Sequence, residues 1–259
     1  MNRTGLLVAL AVAVVVGVVF AVDSRLDLAI SALFYDPTTH LFVIGLKWWV
    51  LRSRDVARWL VALIAAPAFL AIVGKLIMPR RRMLIEGRAA YLIVLTLGLG
   101  PGLIANTILK DHWGRSRPMS ITEFGGTDRF TPWWDPRGPC PNNCSFIAGE
   151  PSGAFWTLAP AVFAPPQWRL LAYGSALAFG IADGALRIIG GGHFFTDVVF
   201  AGVVMFLVVW LMHGLIFRWR ATRAEAGAIE QILTHIGVAM HDACTGLVRR
   251  ILGRAGKGS

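Results

Sequence analysis

The sequence predicts an all-α, polytopic membrane bundle of about six transmembrane helices. Hydrophobic residues make up 56% of the chain and charged residues only 15%, whereas a soluble domain is about 45–50% apolar and about a quarter charged. Mean hydropathy is +0.61. Several apolar stretches reach the roughly 17–25 residues needed to cross a bilayer, and most basic residues lie at their ends, where they set topology.

Six apolar stretches are the predicted spans of one transmembrane domain that covers residues 1–223. They are residues 5–22, 56–78, 89–109, a short stretch at 152–165, 168–189 and 196–217. The first has no clear small-x-small cleavage site before Asp23, which favours an uncleaved anchor over a signal peptide. Residues 224–259 mix apolar and basic residues at helical spacing, which predicts an amphipathic tail on the membrane surface; a plain solvated helix is the alternative.

The basic residues of the short loops predict that both termini are cytoplasmic. If the spans alternate, one side collects Arg3, Arg80–Arg82, Arg88, Arg169, Arg218, Arg220 and Arg223. The positive-inside rule makes that side the cytoplasm. The other side also carries Lys110, Arg117 and Arg187, an exception that is resolved if these cations bind an anion.

Those three outer cations predict a phosphate ligand. Charges at membrane depth are costly and indicate function. Lysine offers phosphate a point charge, and arginine offers a planar fork for two oxygens. The net charge of +10 could suggest nucleic acid, but the basic residues lie at the ends of apolar stretches, so we expect no nucleic-acid partner.

Two residue spacings carry a family resemblance. Six residues separate Lys110 from Arg117-Pro118; five separate Arg187 from His193, and three separate His193 from Asp197. Together they resemble the first and third signature motifs of the type-2 phosphatidic acid phosphatase and vanadium haloperoxidase superfamily, in its membrane lipid phosphatase branch. The resemblance implies a phosphatase at the periplasmic side of the inner membrane that uses no metal or cofactor.

The resemblance also implies a role for each motif residue. His193 would attack phosphorus and form a phosphohistidine, since a neutral imidazole is a competent nucleophile. Asp197, one helical turn further on, would accept a hydrogen bond from the other ring nitrogen and fix the tautomer. Lys110, Arg117 and Arg187 would neutralise the phosphate oxygens in the transition state.

The family's second motif, Pro-Ser-Gly-His, does not occur in this sequence. One alignment places Pro-Ser-Gly-Ala at 151–154, so that Ala154 replaces the histidine. The protein is then a damaged or engineered enzyme, or a relative that only binds lipid. The other alignment places Ser-Phe-Ile-Ala-Gly-Glu at 145–150, so that Glu150 replaces the histidine. We favour the second because a glutamate protonates a leaving oxygen if burial raises its pKa towards neutrality. Gly149 and Ser152 are then expected to contact substrate.

The predicted substrate is an amphiphilic lipid phosphate within the bilayer. Lipid A is the leading prediction; undecaprenyl diphosphate, phosphatidate and phosphatidylglycerophosphate fit the same site. Two alternatives remain open. One is a catalytically impaired relative that binds lipid, and the other is a lipid-to-lipid phosphotransferase that would use the same phosphohistidine. Cys140 and Cys144 lie four apart in a polar loop. They form a disulfide, form half of a metal site, or lie close in the sequence by chance. An extracytoplasmic location of the loop favours the disulfide.

Overall fold

The computed structural model describes residues 2–255, and side chains as far as residue 246. Within that range every regular element is helical and no β-strand occurs, which confirms the all-α prediction. The helices are α1 (Arg3–Val22), α2 (Arg25–Ala32), α3 (Trp48–Ile77), α4 (Gly87–Leu97), α5 (Lys110–His112), α6 (Gly149–Trp156), α7 (Leu158–Ala161), α8 (Arg169–Ile189), α9 (Phe195–His213) and α10 (Ala228–Ala255).

Five helical segments of the described chain are long and apolar enough to cross a membrane. They are Arg3–Val22, Trp48–Ile77, Gly87–His112, Pro166–Ile189 and Phe195–Arg218. These agree with the predicted spans at 5–22, 56–78, 89–109, 168–189 and 196–217. The protein is therefore a multi-pass membrane protein.

The predicted fourth span, 152–165, instead forms the short helices α6 and α7. They are separated at Thr157, whose backbone N–H bonds the carbonyl of Ala154 at 3.2 Å, a tight three-residue turn. Pro160 of α7 lacks the N–H with which a continuous helix would bond the carbonyl four residues earlier. At 1.5 Å per residue α6 and α7 span about 20 Å together, less than a hydrocarbon core of about 30 Å. The count of six spans is thus not reproduced, and the cytoplasmic location of both termini stays a prediction.

The chain divides into two compact units. The first comprises the residues up to Ile64 together with Leu95–His213. The second comprises Ala65–Val94 and the described residues from Gly214 on; within it Lys75 Nζ donates to Glu230 Oε1 at 3.0 Å. Helix α10 lies in the predicted tail 224–259, whose last four residues are outside the described residues. Its contact with the membrane surface stays a prediction.

The core of the first unit brings together the helix ends that carry the motifs. Helix α6 packs against both α8 and α9, with Phe155 buried between them. A Cβ on Gly180 would lie 2.2 Å from Phe155 Cδ1, so only glycine lets α8 approach this closely. This packing places the beginning of α6 near the end of α8 and the beginning of α9.

Helix α4 reaches the same region through a run of wide turns. The α-helix ends at Leu97 and continues as π-helical turns over Gly98–Leu109 before α5. Asn106 Nδ2 donates to the carbonyl of Pro101, five residues earlier, at 2.7 Å. Such turns occur frequently at functional sites. Here they precede Lys110 directly.

Candidate active site

His193 is buried in the loop between α8 and α9. Its side chain is 1% exposed, and Nδ1 lies 2.7 Å from the carbonyl oxygen of Ser145. A carbonyl only accepts hydrogen bonds, so Nδ1 carries the proton and Nε2 keeps a free lone pair. Burial outweighs the nearby carboxylate of Asp197 and lowers the pKa of His193 to about 4. The imidazole is therefore neutral at pH 7, as a nucleophile must be.

The predicted hydrogen bond between Asp197 and His193 is wrong. His193 Nδ1 and Asp197 Oδ2 are 3.8 Å apart, beyond hydrogen-bond distance. The carboxylate is already occupied, since it accepts from Ser145 Oγ at 2.5 Å and from the backbone N–H of Phe194 at 2.8 Å. Asp197 thus fixes the residue that follows the histidine and the separate loop that contains Ser145, while the Ser145 carbonyl fixes the tautomer of the ring.

Asp27 and Arg115 complete this buried network, and neither belongs to the predicted site residues. Arg115 donates to Asp197 Oδ1 at 2.5 Å and to Asp27 Oδ2 at 2.7 Å. Asp27 also accepts from Thr196, at 3.1 Å from its backbone N–H and 2.6 Å from its hydroxyl. The signal available in the sequence was an aspartate among apolar residues of α2, but its partner lies 88 positions away.

Glu150 lies at the first turn of α6 in a bidentate ion pair with Arg54. Arg54 Nε donates to Oε2 at 3.0 Å and Nη2 donates to Oε1 at 2.8 Å. Arg187 Nε is 3.8 Å from the same carboxylate. Arg54 belongs to α3 and to neither spacing motif, so it is a further site residue that the sequence did not indicate.

The condition that burial raise the pKa of Glu150 towards neutrality is not met. Burial does raise it, but the bond from Arg54 and the charge of Arg187 outweigh burial and lower the pKa to about 2. Glu150 is therefore an ionised carboxylate beside the cations. Whether it acts as the acid once substrate has bound stays a prediction.

Gly149 and Ser152 both have structural roles in α6. A Cβ on Gly149 would lie 2.5 Å from Asn106 Oδ1 and 3.0 Å from Lys110 Nζ, so glycine lets the lysine cross the helix start. Ser152 is fully buried and its hydroxyl donates to the carbonyl of Ala148 at 2.7 Å. The predicted substrate contact of Ser152 is therefore not supported, because its hydroxyl is engaged within the helix.

A cavity of about 250 Å³ opens beside these residues, and we call it the headgroup cavity. Lys110 and both second-motif candidates line it, with Glu150 and Ala154 one helical turn apart. Asp183 of α8 also lines it, and among the described residues neither of its carboxylate oxygens has a hydrogen-bond partner. The geometry leaves the two second-motif alignments open, because both positions face the same cavity.

Arg117 is held by the loop that contains the two cysteines. Its guanidinium donates to the backbone carbonyl of Asn143 at 2.9 Å and to the Asn143 side chain at 2.8 Å. Cys140 and Cys144 are joined as a disulfide, and the backbone N–H of Cys144 bonds the carbonyl of Lys110 at 2.8 Å. The cross-linked loop therefore connects both cations of the first motif.

Residues 2–255 contain no group of three or more His, Cys, Asp and Glu side chains placed to hold a metal ion. The metal independence of the reaction stays a prediction.

A neutral buried histidine, a cluster of cations and a bundle of apolar helices define a membrane-embedded phosphatase. The chain belongs to the PAP2 superfamily, whose family model matches residues 89–221, and to its membrane lipid phosphatase branch. The predicted superfamily is thus confirmed.

Curated relatives of the chain carry one shared name. The chain is 31% identical over 219 residues to the lipid A 4'-phosphatase of Francisella tularensis subsp. novicida. The match covers 84% of this chain and 98% of the relative. The chain is 38% identical over 104 residues to the lipid A 4'-phosphatase of Rhizobium leguminosarum, covering 40% of this chain and 45% of the relative. The Rhizobium etli protein of the same name is 38% identical over 119 residues, or 46% of this chain and 44% of the relative. No solved structure matches the chain at a significant level.

Proposed function

We propose that this protein removes a phosphate group from a membrane lipid through a phosphohistidine at His193. The observation that carries the proposal is the bond from His193 Nδ1 to the Ser145 carbonyl, because it leaves Nε2 as the nucleophile. Lys110, Arg117 and Arg187 would hold the phosphate oxygens and stabilise the charge that shifts in the transition state.

The proposed reaction has two steps. His193 Nε2 forms a bond to phosphorus as the bond from phosphorus to the lipid oxygen breaks, and the lipid oxygen takes a proton. Water then attacks the phosphohistidine, releases inorganic phosphate and gives up a proton. A single acid–base group serves both proton transfers.

Glu150 is the proposed acid–base group. The entering phosphate competes for Arg54 and Arg187, so the carboxylate loses the partners that keep its pKa low. A phosphate dianion nearby is a like charge, which raises the pKa of a carboxyl group further. The Glu150 carboxylate, ionised while it is paired with Arg54, would become a proton donor only with substrate bound.

The proposed substrate is lipid A bearing a 4'-phosphate. Support comes from the relatives, which share the name lipid A 4'-phosphatase, and from the five helical segments that are long and apolar enough to cross a membrane. Undecaprenyl diphosphate is the second candidate for the same cations. We also propose that the protein lies in the inner membrane with its site on the periplasmic side, where the Cys140–Cys144 disulfide would persist.

A lipid-binding protein without turnover is the competing proposal. The observation that favours it is the ion pair between Glu150 and Arg54, which leaves no protonated acid in the empty site. Under this alternative the missing histidine belongs at Ala154.

The experiment that separates these proposals is phosphate release by detergent-purified protein from lipid A, undecaprenyl diphosphate and phosphatidate. We expect the wild type to release phosphate from lipid A, and Glu150→Gln to lower kcat about 10²–10⁴-fold, as expected for loss of a general acid. Glu123→Gln, on an exposed loop, is the matched control and should be unchanged. A silent wild type that becomes active with Ala154→His would instead establish the lipid-binding alternative.

A further inference from the structure

Asn143 is the residue that orients the guanidinium of Arg117. Arg117 Nε donates to the backbone carbonyl of Asn143 at 3.2 Å, and Nη2 donates to the same oxygen at 2.9 Å and to Asn143 Oδ1 at 2.8 Å. These bonds fix one edge of the planar guanidinium and do not involve Nη1. The remaining donors of Arg117 therefore have a fixed direction, which favours binding of a phosphate.

The two groups that hold Arg117 are neutral. They are a backbone carbonyl and a side-chain amide oxygen, whereas Arg115 and Arg54 are each bound by a carboxylate. A carboxylate would compete with phosphate for the same charge-assisted hydrogen bonds. Asn143 thus orients the guanidinium and leaves its charge to the phosphate.

The contact with Arg117 depends on an uncommon backbone conformation of Asn143. Its φ is 49°, in the left-handed region that residues other than glycine rarely adopt and that asparagine tolerates better than most. In an open loop an extended conformation would compete, and it would change the direction of both oxygens. The surrounding chain must therefore hold residue 143 in the left-handed conformation.

A disulfide between Cys140 and Cys144 closes the backbone on both sides of Asn143. We call residues 140–144 the disulfide turn. A covalently closed ring of five residues has fewer backbone conformations than an open loop of the same length. Closure therefore favours the conformation in which Asn143 meets Arg117.

Hydrogen bonds attach the disulfide turn to the helix end that carries the first motif. The backbone N–H groups of its two end residues bond the carbonyls of Gly114 and Lys110, at 3.0 and 2.8 Å. The backbone N–H of Asn143 bonds Asp111 Oδ1 at 3.1 Å. A change in the disulfide turn is therefore transmitted directly to Arg117.

We propose that the disulfide turn positions Arg117 for phosphate through Asn143, so that phosphate affinity depends on the oxidised state of Cys140 and Cys144. The inference rests on the proposed function, because it takes Arg117 as a cation that binds the substrate phosphate. A dithiol reductant opens the ring: the two sulfurs gain two electrons and two protons, and the dithiol becomes a disulfide. Cys140 is partly exposed, so a reductant can reach it.

The test measures binding of inorganic phosphate without turnover. The dissociation constant is obtained from the rise of the unfolding temperature with phosphate concentration, in the wild type and in Arg117→Ala, each before and after treatment with dithiothreitol. We expect reduction to weaken phosphate binding about tenfold in the wild type, comparable with loss of one hydrogen bond to a charged group. Reduction should leave the affinity of Arg117→Ala unchanged, because the group that the turn positions is missing.

Two results would overturn the proposal. One is a wild type whose phosphate affinity is the same in both redox states. The other is an equal weakening in the wild type and in Arg117→Ala, since the disulfide would then act on the fold and not on Arg117.

Cysteine variants assign the effect to the disulfide turn. Cys244, an exposed free cysteine, is replaced by Ser as the matched control, and this variant should respond to dithiothreitol as the wild type does. Cys140→Ser combined with Cys144→Ser should bind phosphate about tenfold more weakly than the oxidised wild type and should not respond to the reductant. A response of the double variant would contradict the proposal.

Substitution of Asn143 decides the question if the double cysteine variant does not fold. Asn143→Gly keeps the left-handed backbone and its carbonyl and removes the bond to Oδ1, so phosphate binding should weaken about 2–10-fold, as for one hydrogen bond. Asn142→Gly, the same change at the exposed position before it, is the matched control and should bind phosphate as the wild type does. Equal affinities of the two variants would refute the positioning role of Asn143.

The measurements separate the inference from the proposed function. A wild type that binds phosphate in a redox-dependent manner but releases none from any lipid phosphate contradicts the proposed function alone. A wild type that hydrolyses lipid phosphates and binds phosphate equally in both redox states contradicts the inference alone.

Discussion

The active site contains two charged networks that differ in how completely they are closed. In the first, Arg115 joins Asp27 and Asp197, and all three side chains are at most 1% exposed. In the second, Arg54 and Glu150 are each 24% exposed. We call these the closed network and the open network.

The partners of the two networks differ as well. The carboxylates of the closed network accept from the side chains of Arg115, Thr196 and Ser145 and from two backbone N–H groups. Beside the open network, within the described residues, Arg187 Nε and both oxygens of Asp183 have no hydrogen-bond partner. Buried polar groups are normally satisfied. The difference fits the proposal that His193, the proposed nucleophile, is held in place before substrate arrives, and that the substrate phosphate completes the open network.

The largest expected effect comes from removing the nucleophile held by the closed network. His193→Ala should lower kcat by about 10⁴–10⁶-fold, as loss of a catalytic nucleophile does elsewhere, because no other group forms the phosphohistidine. Phosphate release measures the effect, and an unchanged thermal unfolding profile shows that the fold is intact. Turnover retained by a folded His193→Ala protein would rule out the phosphohistidine mechanism.

A smaller effect, on stability, distinguishes the two networks directly. Arg115→Gln leaves two buried carboxylates without their cation and should cost about 3–5 kcal/mol in the free energy of unfolding. Arg54→Gln removes a partly exposed partner and should cost about 1 kcal/mol or less. Thermal unfolding of the two variants in the same detergent measures both. Equal losses of stability would contradict the distinction between a closed and an open network.

The smallest expected effect is a shift of the acid side of the pH dependence of kcat/KM to lower pH. The pKa of His193 is about 4, below the ordinary value near 6.5, so the imidazole is protonated only below about pH 4. The fall of kcat/KM that protonation of His193 causes in the free enzyme should therefore lie near pH 4 and not near pH 6.5. A pH profile on one lipid phosphate measures it. A limb near pH 6.5 would show that the ring is more solvated than the closed network allows.

The sequence predicted the parts of this molecule that are local in the chain. Lys110, Arg117, Arg187 and His193 were found because each lies within a short spacing motif. The five long apolar helices were found because bilayer thickness fixes their length.

The remainder depends on contacts between distant residues. Asp27 meets Arg115 across 88 positions and Arg54 meets Glu150 across 96, and neither pair leaves a local pattern. The expected bond from Asp197 to His193 followed correctly from their helical spacing, but the carboxylate is taken by Arg115 and Ser145. The predicted fourth span was apolar enough, yet its prolines and the turn at Thr157 divide it.

The π-helical turns at Gly98–Leu109 set the angular phase of Lys110 relative to α4. Successive residues of an α-helix are about 100° apart around its axis, and wider turns advance by less. Each wide turn therefore shifts the following residues back around the helix axis, relative to their positions in a continuous α-helix. Lys110 Nζ lies 3.0 Å from the position a Gly149 Cβ would occupy, so the lysine has little angular tolerance. The number of residues in this segment, as much as their identity, is what directs the lysine into the cavity.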